Sequence, residues 1–487
     1  MKYSSGLTDE RMKSRFRVHI GCVQIAINKG EKMDLPLIVK NICEMFESNG
    51  CYAYIVGGAV RDDILGLEPK DFDMEVYGVT IPTIINMLEG MDLEVDIVGK
   101  SFEVIKVKGQ DIDISIPRRD SKVAPGHKGF KVEGDPSMTP REAARRRDFT
   151  MNSIAWDPMD CCYVDPFNGI DDLNNRLLKH TSAAFSEDPL RVLRGMQFMA
   201  RFDLDADPST IELCSKISMD ELSRERVYDE WVKMILKGKV ISKGLQFLVD
   251  TGWISNFPEL EALVDLEQEP EWHPEGDAFI HTSLCMDAYA EHHRVGIEWD
   301  DLVVGFAVLC HDLGKATTTK KIDGRIKSTM HEVEGKKPTI SFLSRMIESD
   351  NQKKSSPLID AVVPLVLNHM APTMFYDQKS SNGAIRRLAA RVGRIDWLLK
   401  VSRSDKMGRG SHEYEPWAEV WLAKMADDIN ALDSKPKRIL MGRHLIDRGY
   451  EPGFAFKDIL DESYERQLDG EFSDEEGAIE WLKTMEK

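Results

Sequence analysis

The sequence predicts a small α+β head with a mixed β-sheet, followed by an all-α body. Three observations carry that prediction. From about Tyr52 to Trp156 short aliphatic runs alternate with helical stretches. From Asp172 onward strand signals almost vanish. Apolar residues then recur at helical spacing to the end of the chain.

Each element can be justified in order. "YAYIVGG", "DFDMEVYG", "FEVIKVKG" and "DIDISIP" have the aliphatic enrichment and the turn punctuation of strands. "IPTIINMLEG" has the apolar spacing of an intervening helix. "RRDSKVAPGHKGFKVEGDPSMTP" combines Gly, Pro and Lys with little periodicity and reads as a mobile loop. The longest apolar run, Leu302 to Cys310, reads as a buried helix, being about half the roughly 20 residues a bilayer requires. A length of 487 residues gives a soft expectation of about three domains. The boundaries expected are an unassigned extension over 1–50, the head over 51–178, a helical neck over 179–265, a metal-binding helical domain over 266–425 and a helical tail over 426–487.

Composition narrows the class. The first residues, "MKYSSGLTDERMKSRF", have no apolar core of a secretory signal. Eight cysteines form no CxxC pair, and Cys161 and Cys162 are adjacent, so reduced thiols and a cytoplasmic location are expected, with no membrane partner. A net charge of −19 argues against indiscriminate nucleic-acid binding. Arginine is nevertheless concentrated between Arg141 and Arg201, so a local basic track belongs in the middle of the chain.

Asp71 and Asp73 alternate along a strand pattern and project to one side, roughly 6.5–7 Å apart at Cα. Two carboxylates that close call for a cation, and Mg²⁺ is the usual one where phosphates also bind. Asp111 and Asp113 repeat the arrangement in "DIDISIP". Gly57 and Gly58 leave room for backbone N–H groups to approach a triphosphate, and Arg61 adds a charge-assisted contact. Alone, each motif also reads as a strand-to-helix turn and a surface Asp pair.

In order, "GGAVRD", "KDFD", "RRRDFTMNSIAW", "DPFNGIDDL" and "EDPLRVLR" resemble the CCA-adding tRNA nucleotidyltransferases, the branch of the DNA polymerase β-like superfamily shared with bacterial poly(A) polymerases. The resemblance covers most of Tyr52 to Phe202. It implies that Asp71 and Asp73 hold catalytic Mg²⁺, with Asp113 as the third carboxylate. Gly57, Gly58, Arg61, Asp62, Arg146, Arg147, Asp148 and Asn152 would line the nucleotide site. In "EDPLR", Asp188 and Arg191 would read the base edge of CTP or ATP, with Arg194 one turn on. A carboxylate accepts from the exocyclic amine that C and A share, and a guanidinium donates to ring acceptors. The same residues also read as a helix start, with Asp188 as N-cap and Pro189 at the first position.

Histidines cluster further on. Six of the twelve lie between His273 and His331, and His369 follows. "LCHDLGK" places His311 and Asp312 at the end of the apolar helix. Imidazole with carboxylate suits a transition metal better than Mg²⁺. With "FIHT" and "SRSDKMGRG", the set resembles the HD phosphohydrolase superfamily. That resemblance implies His281, His311, Asp312 and Asp405 as ligands of Ni, Mn, Co or Fe. It implies His331 and His369 as ligands of a second ion, and Lys315 as a phosphate contact. His292 and His293 read as surface residues, and His331 and His369 also fit satisfied core histidines.

The expectation is therefore a tRNA nucleotidyltransferase adding CCA from CTP and ATP, with tRNA as partner. Its HD-type domain is expected to hydrolyse RNA-end or 2′,3′-cyclic phosphates. Rival readings are a poly(A) polymerase, a CC-only or A-only enzyme, an HD phosphohydrolase whose head only grips RNA, and a non-catalytic RNA-binding protein.

Overall fold

The computed structural model describes residues 33–98, 104–122, 130–220, 222–347, 356–410 and 414–485. They form two compact units, one ending at Ser223 and the other starting at Arg224.

The first unit is built on β1 (Tyr52–Val56), β2 (Phe72–Tyr77), β3 (Val95–Val98), β4 (Val104–Val107) and β5 (Ile112–Ser115), with β6 (Arg118–Lys122), β7 (Phe130–Gly134), β8 (Ala155–Asp157) and β9 (Cys162–Val164) following. Seven of these make one sheet, in the order β3-β4-β5-β2-β1-β8-β9. β2 and β5 run parallel, and every other neighbouring pair is antiparallel. The parallel pair needs a crossover, which contains the expected helix at Ile81–Glu89. Ala53 to Val56 are buried in succession, as in a central strand covered on both faces. Helix α1 (Leu37–Ser48) packs on β1 through Val39, Ile42, Cys43 and Phe46. The head therefore begins inside the segment expected to be an extension; residues 1–32 lie outside the described ones.

One expectation about strands is corrected. The stretch read as a mobile loop supplies the antiparallel ribbon β6–β7, from Arg118↔Gly134 to Lys122↔Phe130; residues 123–129 lie outside the described residues. A run such as Arg118–Lys122 has no apolar face to announce a strand. The edge strand β3, Val-Asp-Ile-Val, escapes notice because it is only four residues long; it leaves Ile97 and Val98 exposed.

In the second unit α2 (Ala278–His292), α3 (Glu298–Cys310), α4 (Pro357–Asn368) and α5 (Ile395–Met407) pack together. Asp300 to Cys310 are buried in succession, so the long apolar run is the central helix expected. Strands do not end with the head. β10 (Leu177–Leu178) pairs with β11 (Asp205–Ala206), and a hairpin of β12 (Thr319–Ile322) and β13 (Arg325–Ser328) lies in the body. The tail has its own small core of Leu440, Leu445, Phe472, Ala478 and Leu482. Among the described residues Cys43, Cys51, Cys161, Cys162, Cys214, Cys285 and Cys310 are free thiols, and no single helix is long and apolar enough to cross a membrane.

Candidate active sites in the head and the body

In the head, register brings the carboxylates together. Asp73 lies beside Asp113 across the parallel β2–β5 pair and beside Val56 across β1–β2. Asp71 stands just before β2, in step with Asp73, and Asp111 just before β5. Asp71, Asp73, Asp111 and Asp113 line a cleft of about 640 Å³. Desolvation by the cleft walls raises the Asp73 carboxyl; Arg147 opposes it, and Asp113 and Asp71 push it further up. Lys106, the cross-strand neighbour of Asp113, donates to both its oxygens at 2.9 and 3.0 Å.

Gly57 ends β1 with φ +75°, a conformation that favours glycine. A Cβ there would sit 3.2 Å from Asp73 Oδ2 and 3.6 Å from an Arg147 guanidinium nitrogen. The backbone thus closes directly on the carboxylate pair, a cradle that any side chain would fill. These residues fit Mg²⁺: three oxygen-donor groups on one face beside bare backbone.

The remaining head residues are less open than the resemblance implies. Gly58 starts the short helix Gly58–Ile64, which carries Arg61. Arg61 is buried, pairs with Asp62 and donates to Asn152 Oδ1 at 2.9 Å. Asn152 donates to Asp148 Oδ1 at 2.9 Å, and Arg194 donates to Asp148 Oδ2 at 2.7 Å. Burial pushes the Asp148 carboxyl up, but Arg194, Asn152 and the Phe149 N–H outweigh it and hold it below the usual range. Arg61, Asn152 and Asp148, all buried, and the half-exposed Arg194 therefore form one hydrogen-bonded brace. Arg146 and Arg147 reach Glu75, a buried acid two residues beyond Asp73 that also accepts from Tyr77. Sequence reading missed Glu75, although "DFDME" sets it on the alternation of Asp71 and Asp73.

"EDPLR" takes the helix-start form. Asp188 is extended, Pro189 already has helical φ and ψ, and the helix Leu190–Phe202 follows. Asp188 Oδ1 accepts from Leu190 N at 3.1 Å. Asp188 therefore lies just before the helix, its carbonyl accepting from Arg191 N at 3.0 Å. Arg191 donates to the carbonyls of Ala184 and Arg146, both at 2.6 Å.

In the body the predicted ligands converge. His281 Nε2 lies 3.1 Å from Asp405 Oδ1 and 3.6 Å from Asp312 Oδ2. His311 Nε2 lies 3.3 Å from Asp312 Oδ2. The other Asp312 oxygen is 3.3 Å from His331 Nε2, which is 3.2 Å from His369 Nε2. Each ring is turned inward by its Nδ1. His311, His331 and His369 use the carbonyls of Val308, Ser328 and Val366, and His281 uses Glu275. This is how metal-ligating imidazoles are oriented. His311 Nε2 is buried without a hydrogen bond, and burial, with His311 and His331 nearby, holds His369 down to about 3. Burial opposes ionisation of Asp312 and Asp405, yet His311 and Lys315 in one case, and Arg409 and His281 in the other, hold them well below the usual carboxylate range. Two carboxylates held ionised beside four inward-turned imidazoles are a donor set that fits a divalent transition metal.

Gly314 of "HDLGK" makes this closure possible, since a Cβ there would lie 2.0 Å from the His331 carbonyl oxygen. Lys315 is buried, 2.6 Å from Asp312 Oδ2, and donates to Gln268. It neutralises Asp312 as well as lining a cavity of about 240 Å³ with Trp272, His273 and Arg409. Glu275, Cys285 and Arg409 were missed as site residues. The spacing of His273, Glu275 and His281 was the available signal for the first. His293, read as a surface residue, is buried at 9% exposure, whereas His292 is exposed.

A carboxylate-bearing mixed sheet with a glycine turn, followed by a helical body, defines a nucleotidyltransferase of the polymerase β-like type. A family model of the poly A polymerase head domain matches residues 53–179. The multifunctional CCA protein of Stenotrophomonas maltophilia is 34% identical over 375 residues, covering 74% of this chain and 88% of that one. That of Mannheimia succiniciproducens is 38% identical over 277 residues, 55% of this chain and 64% of that one. The Bacillus stearothermophilus CCA-adding enzyme in complex with CTP superposes with a TM-score of 0.61 at 20% identity, over 92% of this chain and 98% of that one. The Thermotoga maritima enzyme complexed with tRNA gives 0.54 at 17% identity, over 92% and 95%. The chain belongs to the CCA-adding enzyme family.

Proposed function

We propose that this chain adds C and A to tRNA 3′ ends from CTP and ATP, releasing pyrophosphate, and that its body hydrolyses RNA-end or 2′,3′-cyclic phosphates. The observation that carries the first half is the register of Asp73 with Asp113, with Asp71 alongside and Gly57 closing on them. Mg²⁺, when bound, supplies charge neutralisation at the triphosphate and lowers the pKa of a coordinated hydroxyl. Asp71, Asp73 and Asp113 hold it. Arg147, beside Asp73, offers positive charge to phosphate, and the Gly57 backbone allows close approach. Asp188 and Arg191 serve as base readers, held in place by their bonds to Leu190, Ala184 and Arg146. That fixed geometry suits a template made of protein.

In the body, His281, His311, Asp312 and Asp405 hold one transition-metal ion, and Asp312, His331 and His369 hold another. A divalent ion there supplies Lewis acidity and a nucleophile at neutral pH. Lys315 and Arg409 place positive charge on the cavity wall, where a phosphoryl group would lie.

The test is to give the purified protein a tRNA lacking its 3′ end, with each labelled nucleoside triphosphate alone and then CTP with ATP. Incorporation of C first and then one A supports the reading. A long A tail, C alone, A alone or no incorporation overturns it.

A further inference from the structure

We propose that Cys285 is a ligand of the body's metal centre, making that centre a mixed imidazole, carboxylate and thiolate site. The inference rests on reading the His281–His311–Asp405 cluster as a metal centre. Cys285 stands four residues after His281 on α2, so both side chains emerge on one face, one turn apart. Its Sγ lies 3.4 Å from His281 Nε2. One donor atom each from His281, Cys285, His311 and Asp405 can be chosen so that all lie within 4.8 Å of one another, and all four residues are buried.

The distances suit shared coordination. With Asp312 as a fifth donor, metal–nitrogen bonds of about 2.0–2.1 Å and metal–sulfur bonds of about 2.3 Å imply donor–donor edges of about 2.9–3.8 Å. The observed edges are 3.1 Å from His281 Nε2 to Asp405 Oδ1, 3.4 Å from it to Cys285 Sγ, and 3.9 Å from His311 Nε2 to Asp405 Oδ1. A further feature points to the same place: His311 Nε2, on a side chain only 1% exposed, makes no well-aligned hydrogen bond, Asp312 Oδ2 lying 3.3 Å away. A buried cysteine ordinarily packs as a small hydrophobe. This one meets an imidazole nitrogen and, at 3.6 Å, the Asp405 carbonyl oxygen.

As the cation enters, the thiol proton leaves to solvent and sulfur donates an electron pair to the metal. A thiolate shifts the site away from Mg²⁺ and toward softer ions such as Co²⁺, Ni²⁺ and Zn²⁺. Sequence reading named the imidazoles and carboxylates but passed over this cysteine, because a single thiol in "HTSLC" has no CxxC partner.

The test is a Co²⁺ titration of the full-length apoprotein followed by absorption spectroscopy. The wild type should develop a near-ultraviolet sulfur-to-cobalt charge-transfer band beside the visible d–d bands. Cys285→Ser should lose the charge-transfer band and bind Co²⁺ at least about tenfold more weakly, and His311→Ala should lose both features. Cys161→Ala, at an exposed thiol, should keep them. Far-UV circular dichroism establishes that each variant is folded, and the wild-type band is a readout that needs no variant. Visible bands that depend on His311 without any charge-transfer band, or a band that survives Cys285→Ser, would overturn the thiolate ligand and leave the metal centre standing. Co²⁺ uptake indifferent to His311→Ala would overturn both.

Discussion

Glu275 Oε1 lies 2.7 Å from Nδ1 of His281, on the edge of the ring opposite the Nε2 that faces Asp405. The same oxygen is 2.9 Å from His273 Nδ1. Burial pushes the Glu275 carboxyl up, but the bonds from His273 and His281 prevail and bring it down to about 2. An anion at Nδ1 fixes the tautomer that leaves Nε2 as a donor to metal. Glu275→Gln should therefore lower metal affinity in the body by about 10–100-fold, measured by competition with a chelating dye. Unchanged affinity would reduce Glu275 to a packing role.

Gly57 makes a prediction in the head. With φ +75° and Asp73 Oδ2 3.2 Å from any Cβ, Gly57→Ala strains the backbone and displaces a carboxylate. Strain of about 1–3 kcal/mol is expected, and a displacement of about 1 Å costs about a hundredfold in turnover. Nucleotide incorporation should fall by about that factor while phosphatase activity of the body persists. Wild-type incorporation by Gly57→Ala would show that the close approach is not used.

His293 makes a pH prediction. Burial, then the charges of Arg403, His292 and Lys400, hold its imidazole down to about 4, and its Nε2 is buried without a hydrogen bond. Its folded pKa is below the unfolded value, so the unfolded chain binds more protons between the two. The stability it contributes is present above about pH 6.5 and is lost as pH falls toward 4, to the extent of about 2–3 kcal/mol. His293→Gln should flatten the fall in thermal midpoint between pH 7 and 4.5. An unaltered slope would place the acid sensitivity elsewhere.

Much of this was legible in the sequence, and what was not has physical causes. Period-two and period-3.6 patterns exposed β1, β2, α3 and the division into head and body, because those elements bury apolar faces. The ribbon Arg118–Lys122 with Phe130–Gly134 and the edge strand Val95–Val98 bury too little to leave that signature. Clusters were legible where a motif placed residues in order, as for Asp71 and Asp73, which line one cleft, and His311 and Asp312, which meet in the body. Supporting groups were not: Glu75, Lys106, Glu275 and Cys285 acquire meaning only through register and helix packing. The brace of Arg61, Asn152, Asp148 and Arg194 shows the converse. Its residues are in the motifs, yet they hydrogen-bond one another.

The central claim is that one chain carries two separate catalytic centres, which a paired assay of the same preparations tests most directly. Labelled CTP and ATP incorporation into tRNA lacking its 3′ end, and hydrolysis of a 2′,3′-cyclic phosphate with added Ni²⁺ or Co²⁺, are measured for wild type, Asp73→Asn and His311→Ala. Removing a carboxylate or imidazole that holds the metal should cost about 10³-fold or more in the affected reaction. Asp73→Asn should lose incorporation and keep hydrolysis, and His311→Ala should do the reverse. A folded His311→Ala protein that cannot incorporate nucleotides, or a folded Asp73→Asn protein that cannot hydrolyse the cyclic phosphate, would contradict the account.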